Sequence, residues 1–332
     1  MKVNYIFRNS RVGYSIQTVF QTVIDAVQGQ VAVRETFLPS PFVSVVSILR
    51  NGIYARLHQS KNEVSHVTGD VHYLLYFLKK GKTVVTVHDI MYYHYLKGIK
   101  KKIWKELYID SLKEAAYVTF ISEFAKQQIL KEINLSDEKV AVIPNAVDPA
   151  FVCVPKEFNA ECPKILHIGT LERKNLARTI EALHGVPCQL RIIGKLNEAT
   201  LKLLQKSGVT YSIASNLTHA EIVEEYRQAD IVNFPSTFEG FGMPIIEGQA
   251  TGRIVVTSNI SPMKEVAGEG AYLVDPYSVD SIKKAYTDIL SNSSLREMLL
   301  KKGKENVKKY DIKEVARQYM SIYTSIAHAD II

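Results

Sequence analysis

Short apolar runs rich in Val and Ile alternate with longer amphipathic stretches along the chain, the pattern left by parallel sheets wound with helices. In the first half the runs predict strands at 3–7, 43–49, 64–67, 83–87, 117–121 and 140–143. The second half repeats the pattern at 164–168, 189–193, 209–212, 231–234, 253–257 and 271–274. Between them, 148–161 carries Pro149 and Pro155 with little periodicity and reads as a linker. After Pro276 the pattern turns helical. The last stretch, 311–326, puts Ile312, Val315, Ala316, Tyr319 and Tyr323 on one face. The expectation is an α/β protein of two doubly wound parallel-sheet (Rossmann-like) domains, over 1–150 and 151–310, facing a central cleft.

A length of 332 residues exceeds one usual core and supports that division. With 46% hydrophobic and 23% charged residues the chain is expected to be globular, and no apolar run is long enough to span a bilayer. The opening MKVNYIFRNS has no signal-peptide core, so the expected location is the cytoplasm. Cys153, Cys162 and Cys188 show no metal spacing and, being odd in number, are expected as reduced thiols.

Chemistry concentrates in FPSTFEGFGMPIIE, residues 234–247. A buried strand is expected to end at Pro235, and Gly240 and Gly242 let backbone approach a ligand with no Cβ in the way. Pro244 suits a first helical position, which puts the amides of Gly242 and Met243 at a positive helix end. Glu239 then precedes the helix and Glu247 lies about one turn inside it. A second candidate follows the strand at 164–168, where Gly169 opens a loop carrying Arg173 and Lys174. Two cations beside a glycine can offset the charge of a departing diphosphate, although an Arg-Lys pair alone is more often solvated. A third is His88-Asp89 at the end of the strand at 83–87.

Together, Glu239 to Glu247, Gly169 to Leu176, Ser122-Glu123 and Pro144 to Asp148 resemble the signature segments of the retaining glycosyltransferases of family four, which share the two-domain GT-B fold. The resemblance implies transfer of a hexosyl unit (mannose, glucose or N-acetylhexosamine class) from a nucleotide diphosphate sugar to a glycan or lipid-linked acceptor, in bacterial surface polysaccharide synthesis. It implies that Glu247 accepts from the ribose hydroxyls and that Glu239 holds sugar hydroxyls near the anomeric carbon. Phe241, Gly242, Met243 and Gly169 line the donor, Arg173 and Lys174 stabilise the diphosphate, and His88 meets the donor sugar while Asp89 holds the loop or the imidazole. It also implies that 311–332 forms a helix returning to the first domain. The family's Gly-Gly loop after the first strand is reduced here to Gly13, the remaining candidate for backbone contact with phosphate. No D-x-D triplet occurs, so no metal and no other cofactor is expected.

The net charge of +7 is uneven: Lys97, Lys100, Lys101, Lys102 and Lys105 crowd Trp104 at the start of a helix. Two readings stand: a cationic helix lying on an anionic membrane with Trp104 at the interface, peripheral to its inner face, or an ordinary amphipathic helix packed into the first domain. No aromatic-basic RNA motif accompanies these lysines, and no nucleic-acid partner is expected. Rival functions on the same fold are a sugar-nucleotide epimerase or hydrolase and a non-catalytic nucleotide-sugar-binding subunit. A dinucleotide-dependent oxidoreductase lacks its G-x-G-x-x-G.

Overall fold

The computed structural model describes residues 1–12 and 14–328. They form two compact units, Met1–Ala146 together with the C-terminal helix Ile312–His328, and Val147–Asp311.

The first unit carries six strands: β1 (Lys2–Phe7), β2 (Ala32–Phe37), β3 (Val64–Val67), β4 (Thr83–Val87), β5 (Tyr117–Phe120) and β6 (Val140–Val142). They pair in parallel in the order β2-β1-β3-β4-β5-β6. Every residue of β3 and β4 is buried, so these segments show no alternation of exposed polar positions, and their polar members Ser65, His66, Thr83 and Thr86 lie inside with the valines. The expected strand at 43–49 is a correction: that segment belongs to the helix Val45–Leu57, and the edge strand is Ala32–Phe37. Pairing decided this, because β2 finds β1 residue for residue from Lys2↔Ala32 to Phe7↔Phe37. Ser44 meanwhile caps the helix by accepting from the amide of Ser47 at 3.2 Å. β-branched propensity yields to such tertiary context.

The helix Ile312–His328 packs beside the helix Tyr14–Val27 on one face of this sheet, burying Val315, Ala316, Tyr319, Ile322, Tyr323 and Ile326. A polar chain locks it there: the Tyr323 hydroxyl lies 2.6 Å from His66 Nδ1, and His66 Nε2 lies 2.7 Å from Thr86 Oγ1. Burial drives the His66 pKa down to about 3, so the imidazole serves as a neutral hydrogen-bonding group.

The second unit repeats the plan with β7 (Lys164–Ile168), β8 (Gln189–Ile193), β9 (Thr210–Ala214), β10 (Ile231–Phe234), β11 (Ile254–Ser258) and β12 (Tyr272–Val274). Its parallel order is β12-β11-β10-β7-β8-β9. Here the chain reverses its direction of travel between β7 and β10, and in the first sheet between β1 and β3. At such points the loops leave their strands toward opposite sides and open a crevice at the carboxyl edge, where α/β proteins bind ligands.

Candidate active site

The loops after β7 and β10 meet at the second unit's switch point. Gly169 leaves β7 with φ 90°, a conformation open to glycine, and a Cβ there would press on the Lys174 side chain at 3.1 Å. Room for the Lys174 stem is therefore what this glycine provides. A short 3-10 turn, Glu172–Lys174, follows and ends at Asn175, itself left-handed at φ 65°. Asn175 is buried and its amide donates to Pro235 O at 2.9 Å and to Pro276 O at 2.6 Å. One side chain thus ties the loop after β7 to those after β10 and β12. The amide of Thr237 completes the clasp by donating to Arg173 O at 2.8 Å.

This backbone frame delivers three charges to one place. Glu239 Oε1 lies 2.7 Å from Lys174 Nζ and 3.3 Å from Arg173, with only 11% of the Glu239 side chain exposed. Lys174 Nζ also sits over the Phe234 ring at 4.4 Å. Burial lowers the Lys174 pKa, and the Glu239 carboxylate beside it opposes that shift. A lysine has three donors and an arginine five, so both cations keep N–H groups for a further anion while holding Glu239.

Gly242 sits at the N-cap of the helix Met243–Ala250 with φ 116°, and a Cβ on it would meet Ile245 Cδ1 at 2.9 Å. Pro244 occupies the second helical position rather than the first expected. Pro244 carries no N–H and the Ile245 amide donates to Gly242 O at 3.0 Å, so Met243 supplies the amide at this positive helix end. Phe241 turns its ring into the core, edge-on to Tyr310 at 5.7 Å, and offers a ligand its backbone alone.

Glu247 projects from the same helix into a buried position, where the hydroxyl of Tyr226 donates to its Oε2. Burial pushes the Glu247 carboxyl up to about 7; the Tyr226 bond and Lys174 oppose the shift, while Asp148 adds to it. Tyr226 was invisible as a site residue in the sequence. Its spacing from Val223, also buried on the helix His219–Gln228, marks it only as core.

In the first unit His88 follows β4, and its Nε2 donates to Thr68 O at 2.8 Å, because a carbonyl can only accept. Burial lowers the His88 pKa, which leaves a neutral ring whose Nδ1 is an acceptor. Asp89 does not hold the imidazole: its carboxylate accepts from the amide of Met91 at 2.9 Å and shapes the loop. Beside it, Arg8 after β1 and Asp70 after β3 form an ion pair at 3.0 Å across that sheet's switch point. Gly13 lies outside the described residues. Among the described residues no group of three or more His, Cys, Asp or Glu is placed to hold a metal ion.

A parallel-sheet unit with a charge clasp and a buried carboxylate at its switch point offers a place where an anionic, hydroxyl-rich ligand can bind. The family follows from comparison. Residues 154–306 match the model of glycosyl transferases group 1, and residues 20–151 match that of glycosyltransferase family 4. The chain belongs to the group 1 glycosyltransferases. It is similar to O-antigen chain mannosyltransferase B of Escherichia coli, 26% identical over 292 residues that cover 80% of this chain and 75% of that protein. O-antigen chain mannosyltransferase RfbU of Salmonella typhimurium is 28% identical over 214 residues, 62% of this chain and 60% of its own length. Sucrose-phosphate synthase from Thermosynechococcus elongatus, a solved structure, shares the fold with a TM-score of 0.81 at 16% identity, covering 99% of this chain and all of that one. Two six-stranded parallel sheets with flanking helices are the GT-B architecture.

Proposed function

We propose that this glycosyltransferase moves a hexosyl unit, mannosyl first among the candidates, from a nucleotide diphosphate sugar to a glycan or lipid-linked acceptor in bacterial surface polysaccharide synthesis. The mannosyl choice draws on the names of the two O-antigen relatives. The clasp of Glu239 by Lys174 and Arg173 at the switch point carries the rest. As the bond between the anomeric carbon and the diphosphate breaks, negative charge grows on the leaving phosphate, and two preorganised cations stabilise it without reorganisation. Lys174 and Arg173 take this role, with Gly169 and the amides of Gly242 and Met243 lining the donor. Two cations can replace a metal at the phosphates, so turnover is expected to be metal-independent. Glu239 holds the sugar hydroxyls, and Glu247, ionised, accepts from the ribose hydroxyls while Tyr226 fixes its other oxygen. The neutral His88 accepts from a donor-sugar hydroxyl through Nδ1. Transfer proceeds with retention of the anomeric configuration. An acceptor carried on lipid brings the enzyme to the inner membrane face as a peripheral protein.

A thermal-shift panel of uridine and guanosine diphosphate sugars, with and without chelator, tests the donor grip. One of them should raise the melting temperature of the wild type and not of Glu247→Ala. No shift with any donor at high concentration would sink the reading. Proton NMR of the product then reads the anomeric configuration, and an inverted linkage would remove retention.

A further inference from the structure

The helix Val45–Leu57 is turned inside out. Its inward positions hold Ser47, Asn51, Gly52 and Ala55, all buried, whereas Val45, Val46, Leu49, Ile53 and Leu57 are 74%, 75%, 49%, 55% and 77% exposed. At 3.6 residues per turn these five positions fall within about 120° of the helix circumference, and the exposed Phe42 and Val43 in the preceding loop extend the strip. A helix meant only for water places its residues the other way round.

The orientation is locked. Asn51 donates to Ser40 O at 3.1 Å and to the Tyr73 hydroxyl at 3.0 Å, and accepts from the amide of Ser40 at 3.0 Å. Ser47 Oγ bonds Ser40 Oγ and Ser44 Oγ, each at 2.9 Å. A Cβ at Gly52 would meet the Phe77 ring at 2.5 Å, so the backbone lies flat on that ring. Rotating the helix to hide its apolar strip would strand these buried polar groups without partners.

Charge along the segment that carries the strip is of one sign. From Thr36 to Asn62 the chain carries Arg50, Arg56 and Lys61 and no Asp or Glu. The helix Gly98–Tyr108 packs on the same segment, His72–Tyr76, and into the same core on one face of the sheet. With Lys97 before it, it exposes Ile99 and Ile103 together with Lys100 and Lys102, while its one acid, the exposed Glu106, accepts from the Tyr76 hydroxyl at 2.8 Å. Trp104 is half-buried, stacked on Tyr108 at 4.7 Å and beside Tyr93 at 5.6 Å. Lys105 is engaged with Asp110 at 3.1 Å. The apolar strip itself comes from a segment that reads as a strand in the sequence.

We propose that the helix Val45–Leu57, with Phe42 and Val43, inserts into the headgroup region of an anionic phospholipid bilayer, flanked by Arg50, Arg56 and the exposed lysines. Apolar side chains enter the acyl boundary while cations meet lipid phosphates, and both contributions favour the same occupant. A second copy of the chain would set this cationic strip against itself, which like charges oppose. The proposal extends the lipid-linked acceptor reading by naming how the enzyme reaches the bilayer, but it rests on this surface and not on the donor site.

Cosedimentation with vesicles of phosphatidylcholine containing phosphatidylglycerol, against pure phosphatidylcholine, tests it. Wild type binds the anionic vesicles in preference. Leu49→Ser with Ile53→Ser lowers the partition coefficient about a hundredfold, near a factor of ten for each inserted side chain. Lys100→Gln with Lys102→Gln lowers it less, and that deficit vanishes at high salt. These positions are exposed, and the melting temperature of each variant without ligand verifies folding. Equal binding of wild type and the Leu49→Ser, Ile53→Ser variant overturns the proposal, as does wild type that ignores anionic vesicles. A dimer that this variant converts to monomer, with neither binding lipid, assigns the strip to self-association and overturns it too. Lipid binding that survives without any donor-induced melting shift sinks the donor reading and leaves this one standing.

Discussion

At the carboxyl edge of the second sheet Glu239, Arg173 and Lys174 are drawn into one charged cluster, whereas at the same edge of the first sheet His88 is held neutral against the carbonyl of Thr68. Both places lie beside a switch point of a parallel sheet, and both loops follow buried strands. The contrast lies in what their surroundings do to charge. Glu239 compensates the burial of Lys174, so the second unit keeps cations in a half-buried place. The Asp70 that might have charged His88 is itself paired with Arg8 and half exposed, so burial wins and the imidazole stays neutral. One fold plan therefore yields a site fit for a growing anion and another fit for a sugar hydroxyl, and their difference can be broken by mutation.

The largest effect is expected from Lys174→Met. Removing one of two fixed cations should lower turnover by about 10² to 10³, and free nucleoside diphosphate should bind more weakly. Calorimetric titration and initial rates check both. His88→Ala should lower kcat/KM by about 10- to 100-fold while leaving nucleoside diphosphate affinity unchanged. If that affinity fell as far as in Lys174→Met, the division of labour between the two edges would be wrong.

A third change concerns Glu247, whose carboxyl is pushed up to about 7 by burial from an ordinary 4.5. A folded pKa raised above the unfolded one contributes stability that is fully present below pH 4.5 and is lost as pH rises through 7. Glu247→Gln should therefore match wild type in stability near pH 4 and exceed it at pH 8 by at most about 3 kcal/mol. Donor affinity of the wild type should weaken as pH falls below about 7, because only the ionised carboxylate accepts from both ribose hydroxyls. Melting curves and donor titrations from pH 4 to 8.5 read the two trends, and a flat profile in both would contradict the placement of Glu247.

Asn175→Ala removes the donor shared by Pro235 O and Pro276 O and should cost roughly 2 kcal/mol in chemical denaturation, with a drop in turnover as the clasp loosens. The smallest effect is expected from Tyr226→Phe. Losing a donor to the charged form raises the Glu247 pKa further, so the pH at which donor binding fades should move upward while stability falls by about 1 kcal/mol. An unmoved pH profile would reduce Tyr226 to a packing role.

How much of this was legible before folding differs from residue to residue. The runs at 83–87 and 231–234 were readable because a fully buried parallel strand favours β-branched and apolar side chains on both faces, a local preference that the buried Thr86 and Asn233 interrupt without hiding. Gly242 and Pro244 announced the helix Met243–Ala250 because their backbone preferences are intrinsic, and Ser122 announced its helix by capping it, accepting from Ala125 at 3.1 Å. The segment 43–49 misled because its β-branched residues suit a strand, while the pairing of β1 lies with 32–37, more than twenty residues away along the chain from Phe7.

Local chemistry in the sequence thus determined the strands, the turns and the identities of the charged side chains in the second unit. Only the tertiary structure decided that Lys174 and Arg173 reach Glu239, that Tyr226 meets a buried Glu247, and that the helix Val45–Leu57 shows its apolar side to solvent. The reason is physical: backbone preference acts over a few neighbouring residues, whereas burial, ionisation and hydrogen-bond partnership depend on groups that the fold brings together from distant positions.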